Sequence, residues 1–363
     1  MIHFTNQNRI YIYDFKCNNM FSPQDVDFLC CPSCRSDLQM QTNLLLCKNC
    51  GKSYPVINGI PRLLHFPDEN TLYNEMWDYK WTKLDGGIGY NYQIIEEGSI
   101  SFKIHNIFQH FQKDGNAFHD IDDQCIGADI GCGTGQYSIS LLQKGINRIY
   151  SVDLTRGVDI GHEIIKKKYP QFVDKIVFIQ ANARYLPIKS DKIDIVMSLA
   201  SIHHSGYLED CIKELVRITK PSKRFFIWVY EKPILPIMDK YRKNIFSWLK
   251  LASILFRISY MEFLYVIFKR MPNSMLVSIL RILASNSVYK LRHIPKIGRV
   301  ITYLTPRISE HPDRGYRLIN LYDWYSPSFA EGTDEYDVMR WSEKFKFKII
   351  SFIPWRLGFV GQK

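Results

Sequence analysis

This chain of 363 residues lacks any uninterrupted apolar run long enough to cross a bilayer. The longest candidate, Ile245 to Phe268, is broken by Lys250, Arg257 and Glu262. Its first 20 residues also lack the charged-then-apolar pattern of a secretory signal. Together these absences predict a cytoplasmic protein. Disulfide scaffolding is excluded as well, since four of the nine cysteines stand at metal-ligand spacing and five are scattered. Acidic residues are scarce in one region. From Pro233 to Leu304 only Asp239 and Glu262 stand against twelve Lys and Arg, so this stretch carries nearly all of the net charge of +11. Charge concentrated in this way says more about partners than a high pI does. The hydrophobic content of 46% is enough for a sizeable core, and the length allows two domains or one with large additions.

The most informative residues are ADIGCGTG at 128–135. Ile126 to Ile130 reads as a buried strand, Gly131, Gly133 and Gly135 as a tight turn, and Tyr137 to Leu142 as the start of a helix. Glycines in such a turn let backbone N–H groups approach a ligand at a helix N-terminus. Asp129, directly before them, would repel a pyrophosphate but suits a cationic, amine-bearing ligand such as S-adenosylmethionine. A second strand, Arg148 to Asp153, ends in an acid 24 residues after Asp129, the placement that binds ribose hydroxyls. Ile176 to Gln180, Lys192 to Leu199 and Phe225 to Tyr230 read as three further strands, with an amphipathic helix from Glu209 to Thr219. Alternation of strand and helix predicts an α/β fold with a doubly wound, mostly parallel sheet.

Over roughly residues 100–230 this run resembles class I S-adenosylmethionine-dependent methyltransferases, which share a Rossmann-like sheet. ADIGCGTGQYS is similar to the family's first motif, SVDLT supplies its ribose acid, and QANARYLPIKSDKIDIVMSLASIHHS matches its adenine loop, fourth strand and following loop. The resemblance implies that Asp129, Gly131 and Gly133 hold the methionine end of the cofactor, Asp153 the ribose, and Asn182 with Ala183 the adenine. It extends the cofactor set to Cys132, Gln136, Leu154 and Leu199. Asn182 stands where the family usually has Asp, and Lys220-Pro221-Ser222-Lys223 replaces its usual glycine turn.

Cys31-Pro-Ser-Cys34 and Cys47-Lys-Asn-Cys50 form two C-x-x-C knuckles separated by twelve residues. Four such thiolates close a tetrahedral zinc site. Cys30 adjoins the first knuckle in the wrong register to pair with Cys34. The stretch from Cys31 to Leu64 resembles the zinc-binding domain fused to bacterial methyltransferases and the stand-alone activator subunit of tRNA and translation-factor methyltransferases. A structural staple is favoured over a docking module, because closed four-cysteine sites do no chemistry.

The expected organisation is an N-terminal arm and zinc ribbon at 1–66, a connecting segment at 67–100, the cofactor-binding core at 101–232, a basic helical insertion at 233–304 and a C-terminal part completing the sheet at 305–363. Within the connecting segment, Trp77, Tyr79 and Trp81 at alternate positions line a substrate mouth or, the favoured alternative, pack the ribbon on the core. The insertion is a lid over an acceptor, an interfacial platform on anionic lipid, or an ordinary cap with a basic solvated face. In the tail, Thr333-Asp-Glu opens a capped helix to Phe345, and Phe347 to Ile353 is a closing strand. Asp323, Trp324 and Tyr325 face the acceptor or form a turn before Pro327.

Methyl transfer asks little of the protein beyond alignment and exclusion of water. His203 and His204 follow the fourth strand at the rim where open α/β sheets bind ligands, and are candidates to orient or deprotonate an acceptor hydroxyl. Tyr230 and Glu231, at the end of the fifth strand, are similarly placed. The expected function is methylation, at oxygen, of a small or lipid-linked molecule. One alternative is tRNA modification of the wobble-uridine type, which IHHS, ELVRITKP and WVYEKP resemble. A second is a non-catalytic cofactor-binding scaffold, disfavoured by the intact glycine turn and ribose acid. Expected partners are accordingly the small or lipid-linked acceptor, with tRNA and peripheral contact with an anionic membrane as alternatives.

Overall fold

A computed structural model describes residues 21–65, 71–82, 84, 121–232, 245–305, 308–309, 311–326, 330–353 and 357–363. The N-terminal arm, most of the connecting segment, the first 20 residues of the expected core and Pro327 lie outside the described residues.

The chain first builds a small antiparallel sheet in the order β1-β2-β3-β4, with β1 Leu38–Gln41, β2 Leu44–Cys47, β3 Ser53–Ile57 and β4 Ile60–Pro61. Its hairpins turn at Thr42 and at Asn58-Gly59, all three at positive φ. Helix α1, Thr71–Thr82, follows.

The core is a sheet of seven strands. In chain order these are β5 Ile126–Ile130, β6 Arg148–Asp153, β7 Ile176–Gln180, β8 Ile193–Leu199, β9 Thr219–Trp228, β12 Lys348–Ile353 and β13 Gly358–Gln362. They lie in the order β12-β13-β9-β8-β5-β6-β7. Every neighbouring pair is parallel except the two that β13 makes, with β9 and β12. The strand order reverses around β5, so the crevice at its carboxyl end is where such sheets take ligands. β7 and β8 are buried along their whole length, which is why they read as predominantly apolar runs. Between the strands run α2 Gln136–Gln143, α3 Gly157–Lys168 and α4 Leu208–Ile218. α4 buries Leu208, Cys211, Ile212 and Leu215, a stripe at helical spacing. A short parallel pair, β10 Tyr230–Glu231 with β11 Gly332–Thr333, ties the end of β9 to the tail.

Three expectations are corrected. The Lys220–Lys223 turn lies inside β9, as a bend with Ser222 at φ 63° and a register shift against β8. The single closing strand is two, because β13 follows β12. Gly361 in β13 faces Phe225, whose ring would collide with any Cβ there. That glycine hides the strand from hydrophobic patterning. The expected turn at Asp323–Tyr325 is the last turn of a helix.

The insertion folds as α5 Ile245–Phe268, α6 Asn273–Leu283, α7 Asn286–Arg292 and α8 Ile297–Leu304. α9, Arg314–Tyr325, joins this unit instead of the sheet, and α10, Glu335–Phe345, precedes β12. Leu318, Leu321 and Tyr322 of α9 share an apolar cluster with Leu276, Val277 and Leu280 of α6. Arg317 is fully buried and rivets the unit by donating to the carbonyls of Ala284, His311 and Pro312 and to Asn286 Oδ1.

Candidate cofactor and zinc sites

A cavity of about 370 Å³ opens at the carboxyl ends of β5, β6, β7 and β8. Its floor is the glycine turn. Gly131 and Gly133 hold φ of 76° and 55°, and a Cβ at Gly131 would run into the Ser201 side chain. One wall is Asp153, Leu154 and Thr155, and another is Asn182, Ala183 and Arg184. Ala200, Ser201 and His204 close the side after β8. The roof is α1, which contributes Trp77, Lys80 and Trp81.

Asp153 is pre-set by three hydrogen bonds. Its carboxylate accepts from Gly133 N–H at 2.8 Å, from Thr155 N–H at 2.8 Å and from the Thr155 hydroxyl at 2.7 Å. A carboxylate has about four acceptor positions, so one remains for a ligand hydroxyl. Asn182 caps the short helix Ala183–Tyr185, its Oδ1 accepting from Arg184 N–H at 2.9 Å. The Arg184 guanidinium lies 3.5 Å from the centre of the Tyr207 ring, and both line the cavity.

Of the ten expected cofactor residues, Gly131, Gly133, Asp153, Leu154, Asn182 and Ala183 line the cavity. Asp129, Cys132, Gln136 and Leu199 do not. Asp129 is buried behind the turn, where Ser138 of α2 donates to it at 2.7 Å and Ser151 of β6 donates onward to Ser138 at 2.8 Å. Burial pushes its carboxyl up to about 7, against the lowering effect of the Ser138 hydrogen bond. Its position locks strand, turn and helix together. Cys132 is buried, and burial drives its thiol well above the usual range. Gln136 opens α2 and Leu199 ends β8 on the buried side.

His203, His204 and Tyr230 are brought together, with the His203 ring 4.0 Å from each of the other two. Only His204 of the three lines the cavity, and its ring lies 5.1 Å from that of Trp77. His203 is fully buried behind it. The favoured use of Trp77 and Trp81, packing the ribbon, is corrected: both line the roof, and Trp81 sits on Gly133, where a Cβ would come within 2.7 Å of its ring. The helical period explains this, since 77, 80 and 81 share one face while Tyr79 points elsewhere, stacking on Tyr322 of α9. Lys80 was absent from the expected site. It is buried, pairs with Asp323 of α9 at 2.6 Å and lies 4.2 Å from the Trp81 ring.

Cys31, Cys34, Cys47 and Cys50 have all their sulfurs within 4.8 Å of one another, with Cys34 and Cys47 at 3.4 Å and Cys31 and Cys50 at 3.7 Å. A tetrahedron with Zn–S of about 2.3 Å needs sulfurs about 3.8 Å apart, so the four fit zinc. Tyr54 Oη lies 3.1 Å from Cys31 Sγ as an outer contact. Cys30 stays outside the cluster, near Arg35, Arg217 and Glu214.

Residues 128–227 match the family described as a methyltransferase domain, and residues 26–59 match the Trm112p-like protein family. The chain is 27% identical over 163 residues, 43% of its own length and 22% of the relative's, to tRNA (carboxymethyluridine(34)-5-O)-methyltransferase ALKBH8 of Macaca fascicularis. It is 28% identical over 131 residues, 34% of its length and 50% of the relative's, to the ubiquinone/menaquinone biosynthesis C-methyltransferase UbiE of Ectopseudomonas mendocina. The chain thus spans half or less of the length of these two curated relatives. Among solved structures, the complex between the Haloferax volcanii Trm112 methyltransferase activator and the putative methyltransferase is similar at 20% identity and TM-score 0.30, over 39% of this chain and 61% of that one. An S-adenosylmethionine-dependent methyltransferase from Methanosarcina mazei is similar at 15% identity and TM-score 0.38, over 68% and 95%.

The core is therefore a class I methyltransferase domain, whose cofactor is S-adenosylmethionine. Fused before it is a Trm112-like zinc ribbon, whose four cysteines suit one structural zinc ion.

Proposed function

We propose that this protein transfers a methyl group from S-adenosylmethionine to an oxygen of a small or lipid-linked acceptor. The observation that carries the reading is the roof: α1 covers the cavity with Trp77, Lys80 and Trp81 and is braced from behind by α9. A roofed cavity supports an enclosed acceptor over a flat nucleic-acid surface. The bound cofactor supplies an already activated methyl on its sulfonium. In this reading the backbone at Gly131 and Gly133 receives the methionine end, the free acceptor position of Asp153 a ribose hydroxyl, and Asn182 with Ala183 the adenine edge. Trp77 and Trp81 exclude water. Asp323 neutralises the Lys80 ammonium, so the roof adds no net positive charge beside a cationic cofactor. His204 takes the acceptor's proton, while His203 and Tyr230 hold its ring in place. Reduced thiols able to hold zinc support a cytoplasmic location.

A second reading, tRNA as acceptor, is favoured by the Trm112-like ribbon and by the tRNA methyltransferase among the relatives. The deciding experiment supplies methyl-labelled cofactor to the protein with a lipid extract, a polar metabolite extract and bulk tRNA in parallel. Label in either extract is expected, whereas label confined to tRNA overturns the first reading for the second. No transfer to any of them, with cofactor still bound, would favour the scaffold alternative. His204→Ala is expected to cut the rate at least ~100-fold with cofactor affinity unchanged. An unchanged rate would remove His204 as the base.

A further inference from the structure

We propose that the outward face of α5 to α8 docks this protein onto an anionic membrane surface, lying in the headgroup layer without crossing it. Among the described residues, eight of the thirteen exposed large apolar side chains fall between Phe256 and Val300. Phe256 and Phe263 are 63% and 61% exposed and lie two helical turns apart on α5. Met275 and Ile282 repeat that spacing on α6, with Ile282 66% exposed. Ile297 and Val300 share a face of α8. α6 is the telling element. It buries Leu276, Val277 and Leu280 against α9, so its core-facing need is already met. An ordinary surface helix would be polar on the side where Met275 and Ile282 stand.

Charge decides what covers this face. From Ile245 to Leu304, the span of these helices, the sequence holds nine Lys and Arg against Glu262 alone. The bases alternate in sequence with the exposed apolar residues: Lys290 and Arg292 flank Leu291, and Lys296 precedes Ile297. A second copy of the chain would bring two positive faces together, which opposes association. A phosphate backbone would satisfy the bases but leave Phe256, Phe263 and Ile282 in water. Anionic headgroups above hydrocarbon satisfy both, with Lys and Arg reaching up to phosphate while apolar side chains enter below. Among the described residues no helix is long and apolar enough to cross a membrane, which fits a helix unit lying in the interface. The inference does not depend on which acceptor is methylated.

The test is co-sedimentation of the full chain with vesicles of phosphatidylglycerol and phosphatidylcholine, against vesicles of phosphatidylcholine alone, across a salt series. Binding to the anionic vesicles is expected to be at least ~10-fold stronger, and to weaken with salt. The pair Ile282→Asp with Val300→Asp is expected to lower it roughly 10-fold more. Lys290→Glu with Lys296→Glu should act similarly and flatten the salt dependence. Thermal melting and S-adenosylhomocysteine binding, measured on the same samples, should stay at wild-type values, which separates failure here from failure of the methyltransferase reading. Absence of vesicle binding at low salt overturns the proposal. So does binding that the aspartate pair leaves untouched, which would be simple charge attraction. Retention by bulk tRNA alone, or a concentration-dependent dimer that the aspartate pair dissolves, also overturns it and names the other occupant.

Discussion

Asp129 and Asp153 end adjacent strands, yet their surroundings give them opposite electrostatics. Asp153 has three donors and faces the cavity. Asp129 is buried, with hydroxyl support from Ser138, and its carboxyl rises to about 7 from an ordinary 3.8. The folded chain therefore binds a proton at Asp129 that the unfolded chain releases between those values. By linkage this group's contribution to stability falls as pH rises through that window, by up to about 4 kcal/mol at about 1.4 kcal/mol per unit. Asp129→Asn should lack the decline, so the variant gains on wild type between about pH 4 and about pH 7 in denaturant melts. Buried His162, pushed down to about 4, acts with the opposite sign: its contribution is present above its ordinary 6.5 and lost as pH falls toward 4. It is common to both proteins and cancels from the difference. A constant gap between the two melts would show that Asp129 stays ionised in the fold. Asp153→Ala tests the other carboxylate. It should weaken S-adenosylhomocysteine at least ~10-fold by calorimetry, the worth of a charge-assisted hydrogen bond. Unchanged affinity would remove Asp153 from the ribose site.

At the scale of elements, the roof carries a sharper prediction. Lys80 of α1 is buried and pairs with Asp323 of α9. Asp323→Asn keeps the shape but leaves a buried ammonium uncompensated above the cavity. S-adenosylmethionine carries a sulfonium, whereas S-adenosylhomocysteine has a neutral sulfur there. The variant should therefore lose affinity for the first by several-fold more than for the second, read by competition binding. Equal losses would mean the pair merely holds the helix. The parallel strands were legible in the sequence because both faces are covered, which forces mainly apolar runs such as IVFIQ and IDIVMSL. The glycine turn was legible because positive φ restricts residue choice. β13 was not, since Gly358 and Gly361 dilute its apolar signal to suit neighbours that only the fold reveals. The roof was half legible. Trp77 and Trp81 stood out, but reading them at alternate positions concealed that a helix puts Lys80 between them. Asp129 is conspicuous in the sequence as the acid before the glycine turn, but its direction is set by Ser138 and Ser151 on other elements, which turn it away from the cavity.

At the scale of the whole molecule, the question is whether the ribbon is an appendage or part of the core. Phe21, Val26, Leu29, Leu45 and Leu63 share one apolar cluster with Tyr150, Val177, Ile179 and Ile188 of the methyltransferase domain. Asp25, almost fully buried, takes both arms of Arg148 at 2.6 Å and the Tyr150 hydroxyl at 3.0 Å. Beyond β4, Leu63 N–H donates to Gln180 O at 2.8 Å, extending the sheet past β7. Arg62 donates to Asp159 of α3 and, at 3.2 Å, to Gln180 Oε1. The Gln180 amide in turn donates to Leu154 O at 3.0 Å, and Leu154 lines the cavity. None of this coupling was legible in the sequence, because Arg62 and Gln180 lie 118 residues apart and each looks like an ordinary polar residue. Two consequences follow from it. Stripping zinc, or Cys47→Ser, removes the order of the ribbon and exposes the shared cluster. The methyltransferase core should then melt several degrees lower in the same transition, not in a second one, by calorimetry. Arg62→Ala leaves the four cysteines intact, so zinc content should stay at one ion per chain. S-adenosylhomocysteine affinity should nevertheless fall a few-fold, because Gln180 loses the partner that holds it against Leu154. Two separate melting transitions, together with unchanged affinity in Arg62→Ala, would make the ribbon a tethered neighbour of the cofactor site. A single transition with weakened affinity would make it a structural wall of that site, and would explain why ribbon and methyltransferase domain are joined in one chain.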